Sequence, residues 1–349
     1  MRILVAMSGG VDSSVAAALL HEAGHELVGV TLHLWDASGD QQVGRCCAPE
    51  DRDDARRTCD HLGIPHYVLD EREAFRRDVV EPFLDSYRAG ETPIPCVECN
   101  RTVKLDHLVT LAPRFGCDAV ATGHYARIMM DGERARLLRG RDLDKDQSYF
   151  LFGLKPETLA RMVFPLGELT KDEARAEGRR LGVPNADKGE SQELCFVPDG
   201  DVAGFVSRER GPGRPGELVD EEGAPLGQHE GIEAFTIGQR KGLGLGGGPT
   251  RYVLRIVPDQ DQVVVGSADA LQGSDLKAER ARWIGPAPSE PFEGQVRIRY
   301  RHEPAEGRIE ATPDGFRVRF ARPQRAITPG QAAVIYRGDE VLGGGFIKF

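Results

Sequence analysis

Apolar and polar positions alternate in two rhythms along the first part of the chain, and these rhythms predict alternating strands and helices. Short apolar runs predict strands at Arg2–Ala6, Glu26–Leu34, His66–Leu69 and Asp118–Gly123. Helices are predicted at Val15–Leu20, Pro49–Leu62, Leu105–Phe115 and Lys171–Leu181. Thr170 and Glu173 have the spacing of a capping box for the last of these helices. This order is typical of an α/β fold in which crossover helices cover a parallel sheet.

The carboxyl ends of the predicted strands indicate where a ligand binds. Open parallel sheets hold their ligands in a crevice beyond these strand ends. Ser8, Leu32 and Gly123 lie at or just after the ends of three predicted strands. We therefore expect these residues to border the site.

From about Gly200 the pattern changes, because helix signals stop and glycine, proline and β-branched residues dominate. Alternating positions at Gln295–Tyr300 and Gly315–Phe320 predict strands of a C-terminal barrel or sandwich. We expect an α/β domain followed by two small β domains, with these bounds: residues 1–200, 201–272 and 273–349.

Composition narrows the class of protein. No apolar run approaches the roughly 20 residues that span a bilayer, and the N-terminus reads as a strand rather than a signal peptide. We therefore expect a cytoplasmic protein without a membrane partner. The net charge of −10 argues against salt-driven, non-specific nucleic-acid binding but leaves room for a local basic patch. Seven cysteines in such a chain indicate thiols, metal ligands or catalytic groups rather than a disulfide scaffold.

The run Ser8–Ser14, SGGVDSS, joins the first predicted strand to the first helix and predicts an anion site. Its glycines let backbone N–H groups approach an oxyanion, its serines add hydroxyl donors, and the helix dipole favours negative charge. A Walker A loop would need a lysine that reaches the β- and γ-phosphates, and this run has none. The loop therefore suits pyrophosphate as a leaving group and favours AMP transfer, with a plain glycine-rich turn as the alternative.

The cysteines supply the second chemical signal. Cys96 and Cys99 form a CxxC behind the proline-bracketed segment Thr92–Pro95, which predicts an ordered, non-helical loop. Such a pair is compatible with half a zinc site, a redox pair or two ligands of an iron–sulfur cluster. Cys195 follows the capped helix. It is either a functional thiol or, as the alternative, a plain buried thiol beside Phe196. The remaining cysteines near the sheet form a second thiol group or are structural: Cys46, Cys47 and Cys59.

The glycine loop resembles the pyrophosphate loop of the N-type ATP pyrophosphatases, a superfamily that includes GMP, NAD and argininosuccinate synthetases and tRNA thiolases. Together with the thiols, the whole chain resembles one family, the bacterial tRNA-specific 2-thiouridylases (the MnmA family). The matching stretches occur in order over nearly the full length: Met7–Ser13, Cys99-Asn100 with Lys104, Ala121–Tyr125, Lys145–Phe150, Cys195-Phe196, Gly238–Gly244 and Thr328–Ala332.

The resemblance implies ATP-dependent 2-thiolation of the wobble uridine of tRNA. Uracil O2 would attack the α-phosphate of ATP, so that pyrophosphate leaves and the oxygen becomes part of AMP, a good leaving group. Cys195 would carry a persulfide received from a donor protein. Cys99 would act as the nucleophile that frees this sulfur, and a thiol reductant would then reduce the resulting Cys99–Cys195 disulfide.

The resemblance also implies binding residues. Asp12 would orient Mg²⁺ or pyrophosphate, and Leu32 and Gly123 would line the adenine pocket through backbone groups. The other expected ATP contacts are Ala6, Met7, Ser8, Gly9, Gly10, Val11 and Ser13. The expected tRNA contacts are Ile94, Pro95 and Cys96 beside the flipped base, with Lys145, Asp146, Gln147, Arg299 and Tyr300.

Cys96 departs from the family pattern, because many members carry an aspartate at this position. Cys96, Cys99 and Cys195 would then hold three irons of a [4Fe–4S] cluster, whose fourth iron binds the sulfide to be transferred. This cluster route and the persulfide route stay open as alternatives.

Arginines outnumber acidic residues from about Glu279 to Arg325, and this supports a tRNA surface independently of the resemblance. Strand alternation predicts one face with Arg297, Arg299 and Arg301 and another with Arg317 and Arg319, while Tyr149 and Tyr300 would stack on bases. An ordinary solvated strand face is the alternative.

Two rival functions remain. A ligating synthetase of the same superfamily would share the loop but have no use for Cys99 and Cys195. A tRNA-binding module with a decayed ATP site is disfavoured because the loop is intact. His124 is interpreted as a structural donor rather than a general base, and the GxGxxG match at Gly242–Gly247 is a poor dinucleotide signal because no helix follows it.

Overall fold

The computed structural model describes residues 1–36, 49–189, 194–246 and 248–348. Contacts divide the chain into two units. The first comprises Met1–Val79, Cys96–Gly200 and Asp339–Leu342, and the second comprises Val80–Pro95, Asp201–Gly338 and Gly343–Phe349.

The strands of the described residues are β1 (Arg2–Ala6), β2 (Glu26–His33), β3 (His66–Asp70), β4 (Ala119–Ala121), β5 (Ala126–Asp131), β6 (Arg134–Arg139), β7 (Met162–Val163), β8 (Gly216–Val219), β9 (Pro225–His229), β10 (Tyr252–Val257), β11 (Gln262–Gly266), β12 (Gln272–Trp283), β13 (Phe292–Arg297), β14 (Ala305–Thr312), β15 (Gly315–Arg325), β16 (Ala332–Arg337) and β17 (Glu340–Lys348). The α-helices are α1 (Val11–Glu22), α2 (Pro49–Leu62), α3 (Arg72–Phe75), α4 (Glu81–Arg88), α5 (Pro95–Cys99), α6 (Leu105–Leu111), α7 (Pro156–Leu159), α8 (Lys171–Arg180) and α9 (Val202–Arg210).

A parallel sheet in the order β3-β2-β1-β4-β7 organises the first unit, which confirms the predicted α/β fold. The chain runs outward from β1 to β3 and then returns to β4 on the other side of β1, so the strand order reverses between β1 and β4. The crevice at such a reversal is the usual ligand site of an open α/β sheet.

Helix α1 is buried along most of its length because it packs against the sheet and against α8. Its Ala17 and Leu20 join a core with Ile3 and Val5 of β1. On the other side, a Cβ added at Gly178 of α8 would lie 2.9 Å from a Val15 methyl group, so this glycine permits close helix packing. The capping box predicted for α8 is present.

The second unit contains two β structures, as predicted. One is a sheet in the order β10-β11-β8-β9. The other follows the order β12-β15-β14-β13-β16-β17, and antiparallel pairing of β12 with β17 closes it into a barrel. Closure removes the exposed edges that an open sheet would leave.

The prediction that helix signals stop at Gly200 is wrong, because α9 begins at Val202. The Asp201 carboxylate accepts a hydrogen bond from the Gly204 N–H at 2.9 Å and caps this helix. Phe205 of α9 is buried and meets the ring of Phe83 edge-on, with centroids 6.3 Å apart.

The strand predicted at Gln295–Tyr300 ends early, at Arg297. The chain then turns, and the His302 N–H donates to the Arg299 carbonyl at 3.1 Å. Among the helices described, none combines the length and the apolar composition that a membrane crossing requires.

Candidate active site

The glycine loop lies between the end of β1 and the first turn of α1. Gly9 adopts a φ of +74°, a region that favours glycine, and Gly10 is the N-cap of α1 in an extended conformation. The hydroxyls of Ser13 and Ser14 donate to the Gly10 carbonyl at 3.0 and 3.1 Å. The Ser8 and Ser13 hydroxyl oxygens lie 3.1 Å apart. The serines therefore hold the turn together, while the start of α1 contributes its dipole to the site.

The ends of β1, β2 and β4 are adjacent, so the structure brings Ser8, Leu32 and Gly123 to the same edge of the sheet, as predicted. A Cβ at Gly123 would lie 2.5 Å from the Asp12 carbonyl carbon and 2.7 Å from the Ser13 nitrogen. Only glycine permits this close approach of the strand end to the helix N-terminus. The contacts of these residues with ATP stay predictions.

Asp12 is held by two residues that sequence reasoning missed. The buried Lys171 ammonium lies 2.7 and 3.0 Å from the two Asp12 carboxylate oxygens, and the Tyr125 hydroxyl donates to one of them at 3.0 Å. Lys171 stands 159 positions away, at the first residue of α8. Its capping box predicts where α8 begins but carries no information about the partner of Lys171.

His124 is neutral near physiological pH. Burial, and to a lesser extent the charge of Lys104, lowers the pKa of His124 to about 3. Its Nδ1 lies 2.7 Å from the Thr122 hydroxyl, and its ring meets Phe164 edge-on. These contacts agree with the interpretation of His124 as a structural residue, because a general base needs a pKa near the working pH.

The prediction that the CxxC segment is non-helical is wrong, because Cys96 and Cys99 lie on α5. Pro95 stands at the first position of this helix, where its missing N–H costs no intrahelical hydrogen bond. Cys96 is exposed, whereas Cys99 is only 4% exposed. A π-helix at Asn100–Lys104 follows directly, a rare element that is frequent at functional sites.

Cys195 is half-buried in a tight turn, so the alternative of a plain buried thiol does not describe it. The adjacent Phe196 is buried and anchors the turn, because its ring packs against Phe75 and Trp35 at centroid distances of 5.7 and 6.4 Å. Residues 190–193 ahead of the turn lie outside the described part. The Cys99–Cys195 disulfide stays a prediction.

The cluster alternative stays a prediction, since each of its three cysteines would bind a different iron. Within the described ranges, no three His, Cys, Asp or Glu side chains are close enough to hold one metal ion. The described Cys96, Cys99 and Cys195 therefore do not form a site for a single metal ion, and we derive no step through a [4Fe–4S] cluster.

The other cysteines differ from these three in their surroundings. Cys59 is fully buried in the sheet core, and burial, with the nearby Asp60 charge, raises the pKa of its thiol to about 12. A thiol of this kind is inert, which agrees with a structural role. Cys46 and Cys47 lie outside the described residues.

Two residues predicted to meet tRNA are buried instead. The Asp146 carboxylate is fully buried and accepts hydrogen bonds from the Gly140 and Ser148 backbone N–H groups, each at 3.1 Å. Tyr149 is also fully buried, so it cannot stack on a base. Gln147 accepts a hydrogen bond from the Tyr125 N–H at 2.9 Å. This segment therefore supports Tyr125, which in turn contacts Asp12.

The predicted face of Arg297, Arg299 and Arg301 does not exist, because β13 ends at Arg297. Arg297 is buried and its Nε donates to the His302 carbonyl at 3.0 Å. Arg299 lies in the following turn and donates to the Arg325 carbonyl at 2.9 Å. The Arg297 guanidinium lies 5.4 Å from the centroid of the Tyr300 ring.

Arg317 and Arg319 do share an exposed face, as predicted. Acidic residues accompany them, since Glu310 is paired with Arg317 across the strands and Asp275 lies 3.0 Å from the Arg319 Nε. The face is a mixed charged surface rather than a purely basic one.

The matched stretch Thr328–Ala332 holds the segment that leads into α5. The Thr92 N–H donates to the Pro329 carbonyl at 2.9 Å, and the Gln331 side-chain amide donates to the Thr92 carbonyl at 2.9 Å. Gly330 adopts a φ of +88°, and a Cβ there would lie 2.9 Å from the Thr92 carbonyl. This contact gives a structural role to the Thr328–Ala332 motif, to which the sequence analysis assigned none.

Comparison with protein families first defines the class. Residues 1–199 match the family described as "tRNA methyl transferase HUP domain", residues 204–267 the "tRNA methyl transferase PRC-barrel domain", and residues 274–347 the "Aminomethyltransferase beta-barrel domain". With its parallel sheet and glycine loop, the chain is a HUP-domain protein that carries two further β domains.

Individual relatives then define the family. The tRNA-specific 2-thiouridylase MnmA of Sorangium cellulosum is 54% identical over 99% of this chain and 92% of its own length. Its counterpart from Chloroflexus aggregans is 50% identical, with 99% and 98% covered, and that of Geobacter metallireducens is 48% identical, with 99% and 96% covered. The chain belongs to the family of tRNA-specific 2-thiouridylases.

Proposed function

We propose that the protein is an ATP-dependent sulfurtransferase that converts the wobble uridine of tRNA to 2-thiouridine, in the cytoplasm. The observation that carries this proposal is that one unit holds both the intact glycine loop and the thiols Cys99 and Cys195. A ligase of the same superfamily would need the loop but not the thiols.

In the first step uracil O2 attacks the α-phosphorus of ATP, a new P–O bond forms, and pyrophosphate leaves. The N–H groups at the start of α1 stabilise the pyrophosphate charge. Mg²⁺ commonly uses one or two carboxylates together with substrate phosphates, so Asp12 fits as its protein ligand, and the ion would neutralise the leaving group. Lys171 and Tyr125 hold the Asp12 carboxylate in place.

In the second step the Cys99 thiolate attacks the inner sulfur of a persulfide on Cys195, which a donor protein has supplied. A Cys99–Cys195 disulfide forms and hydrosulfide is released. Hydrosulfide attacks C2 of the adenylated uridine, and AMP leaves with the former O2. A thiol reductant then supplies two electrons and two protons to restore both thiols. The proposed tRNA contacts are Lys145, Gln147, Arg299, Tyr300 and the segment Ile94–Cys96.

The test is mass spectrometry of nucleosides from an unmodified tRNA transcript after incubation with enzyme, ATP, a persulfide source and reductant. We expect 2-thiouridine with the wild type, none with Cys99→Ser or Cys195→Ser, and undiminished product with the control Cys59→Ser. Consumption of ATP without any 2-thiouridine, unchanged in Cys195→Ser, would favour the ligase.

A further inference from the structure

The Gly9–Gly10 peptide is packed too tightly to turn freely. A Cβ at Gly9 would lie 2.0 Å from the Asp51 carbonyl oxygen, so the start of α2 touches the loop directly. The glycine φ of +74° and this contact together restrict how the peptide between Gly9 and Gly10 can be oriented.

Two side chains from the segment after α8 hold the Gly9 carbonyl. Asn185 is buried, and its Nδ2 donates to this oxygen at 2.9 Å. The Lys188 Nζ donates to the same oxygen at 3.2 Å. A backbone carbonyl that accepts an amide and an ammonium is strongly oriented, because the ammonium bond is charge-assisted.

Lys188 is itself held by two carboxylates of α2. Its Nζ donates to Asp51 and, at 2.6 Å, to Asp54. Burial lowers the pKa of Lys188, but hydrogen bonds to Asp51 and Asp54 raise it more, so the net pKa lies above its usual value. Lys188 therefore stays protonated at working pH, and the two carboxylates balance its positive charge before any phosphate binds. For this reason Lys188 is poorly suited to bind phosphate directly.

The orientation of this carbonyl determines the orientation of the next N–H. No described peptide bond is cis, so the Gly9 carbonyl and the Gly10 N–H point in opposite directions. With the carbonyl turned toward Asn185 and Lys188, the Gly10 N–H points to the other side, where it donates a long hydrogen bond of 3.4 Å to the Ser8 hydroxyl oxygen. The reverse orientation would present a carbonyl oxygen to an incoming anion and repel it.

We infer that Asn185 and Lys188 are positioning residues of the pyrophosphate loop, which act through the Gly9 carbonyl and aim the Gly10 N–H at pyrophosphate. This inference rests on the proposed function, because it assigns the loop to the pyrophosphate part of ATP. The inference thereby gives a role to residues 185–188. This segment lies seven to ten positions before Cys195 in the sequence.

The experiment measures binding of two probes, inorganic pyrophosphate with Mg²⁺ and adenosine, to the full chain by calorimetry. Asn185→Leu removes the donor at nearly constant size, and we expect pyrophosphate affinity to fall about tenfold, the effect of one lost hydrogen bond. Adenosine affinity should stay at the wild-type value, whereas Tm should fall because a buried hydrogen bond is lost. Lys188→Met should show the same selective loss, and Lys188→Arg, which keeps N–H donors, should restore most of the affinity.

Asp187→Asn is the matched control. Asp187 lies between the two positioning residues, but it is exposed and pairs with Arg179 at 3.1 Å instead of contacting the loop. This variant should bind both probes normally. Lys188→Met leaves two carboxylates without their cation, so Asn185→Leu decides the outcome if Lys188→Met does not fold.

Wild-type pyrophosphate affinity in Asn185→Leu would overturn the inference. An equal loss of adenosine and pyrophosphate binding would also overturn it, because a general defect of the fold would then explain both. If the wild type itself binds adenosine but no pyrophosphate, the proposed function fails, and the inference fails with it.

Discussion

Two regions bear charge but are built in opposite ways: the glycine loop, Ser8–Ser14, and the arginine face of β14 and β15, which carries Arg308, Arg317 and Arg319. At the loop, Gly9, Asp12 and their lysine partners come together from distant parts of the chain, and their contacts are wholly or partly buried. On the arginine face, Arg308, Arg317 and Arg319 lie exposed in water beside acidic neighbours. Buried, converging contacts fix geometry, whereas exposed pairs contribute little because water and salt screen them.

This difference predicts a steep gradient of mutational effects. A change at the loop disturbs packed backbone and buried ion pairs, so it should alter stability and nucleotide chemistry together. A change on the arginine face should leave the fold intact and alter only interactions with an external polyanion.

Gly9→Ala should have the largest effect. The new Cβ would strain the backbone at φ +74° and overlap the Asp51 carbonyl. Strain and overlap together should lower the free energy of unfolding by about 2 to 4 kcal/mol. Gly24→Ala is the control, because Gly24 has a φ of +80° with no atom within 4 Å of the added Cβ. Equal losses in chemical denaturation would show that the contact with Asp51 is unimportant.

Lys171→Met should come next. It removes the buried partner of Asp12, whose side chain is 36% exposed and keeps part of its hydration. We expect a loss of about 1 to 2 kcal/mol in the free energy of unfolding, less than for a fully buried pair. Arg180→Met, which breaks exposed pairs with Glu22 and Glu177, should cost less than about 0.5 kcal/mol. Comparable losses would contradict the contrast between buried and exposed charge.

His124 should make stability depend on pH. Its folded pKa of about 3 lies below the ordinary value of 6.5, so the unfolded chain binds a proton first as pH falls. The stabilising contribution is complete above pH 6.5 and is lost as pH falls toward 3. The free energy of unfolding should fall by up to about 1 kcal/mol per pH unit in that window. His124→Gln should flatten this dependence, and an unchanged slope would show that His124 titrates normally.

Arg299→Glu should have the smallest effect on stability. The half-buried Arg299 donates a hydrogen bond to the Arg325 carbonyl in a solvent-accessible position, so the free energy of unfolding should change by less than about 0.5 kcal/mol. Binding of tRNA should weaken, and the slope of log affinity against log salt should decrease by about 1. Unaltered tRNA binding over a salt titration would remove Arg299 from the proposed contacts.

Elements that depend on neighbouring residues were predictable from the sequence. Helix α2 has its predicted bounds, Pro49–Leu62, and the capping box at Thr170 starts α8. The two wrong predictions, a non-helical CxxC segment where α5 lies and an end of helices at Gly200 where α9 follows, also concern signals between neighbouring residues. Pro95 breaks a helix from inside but is tolerated at its first position, and Asp201 is a strong N-cap that outweighed the glycine-rich context.

Burial was harder to predict than secondary structure. Asp146, Tyr149 and Arg297 are polar or amphipathic residues that the pattern placed at a surface, yet each is buried and hydrogen-bonded or packed inside its unit. A polar side chain can be buried when the fold supplies partners for it, and those partners come from elements that the local pattern does not specify.

By itself the sequence determined the strand–loop–helix of the predicted anion site, because glycine conformations, serine hydroxyls and apolar runs act over a few residues. It also determined the family, through motifs spread along the whole chain. Only the tertiary structure decided that Lys171 faces Asp12 and that Asn185 and Lys188 orient Gly9, across separations of 159, 176 and 179 residues. Those contacts follow from the order of the strands and the packing of α8 on α1, which no local periodicity encodes.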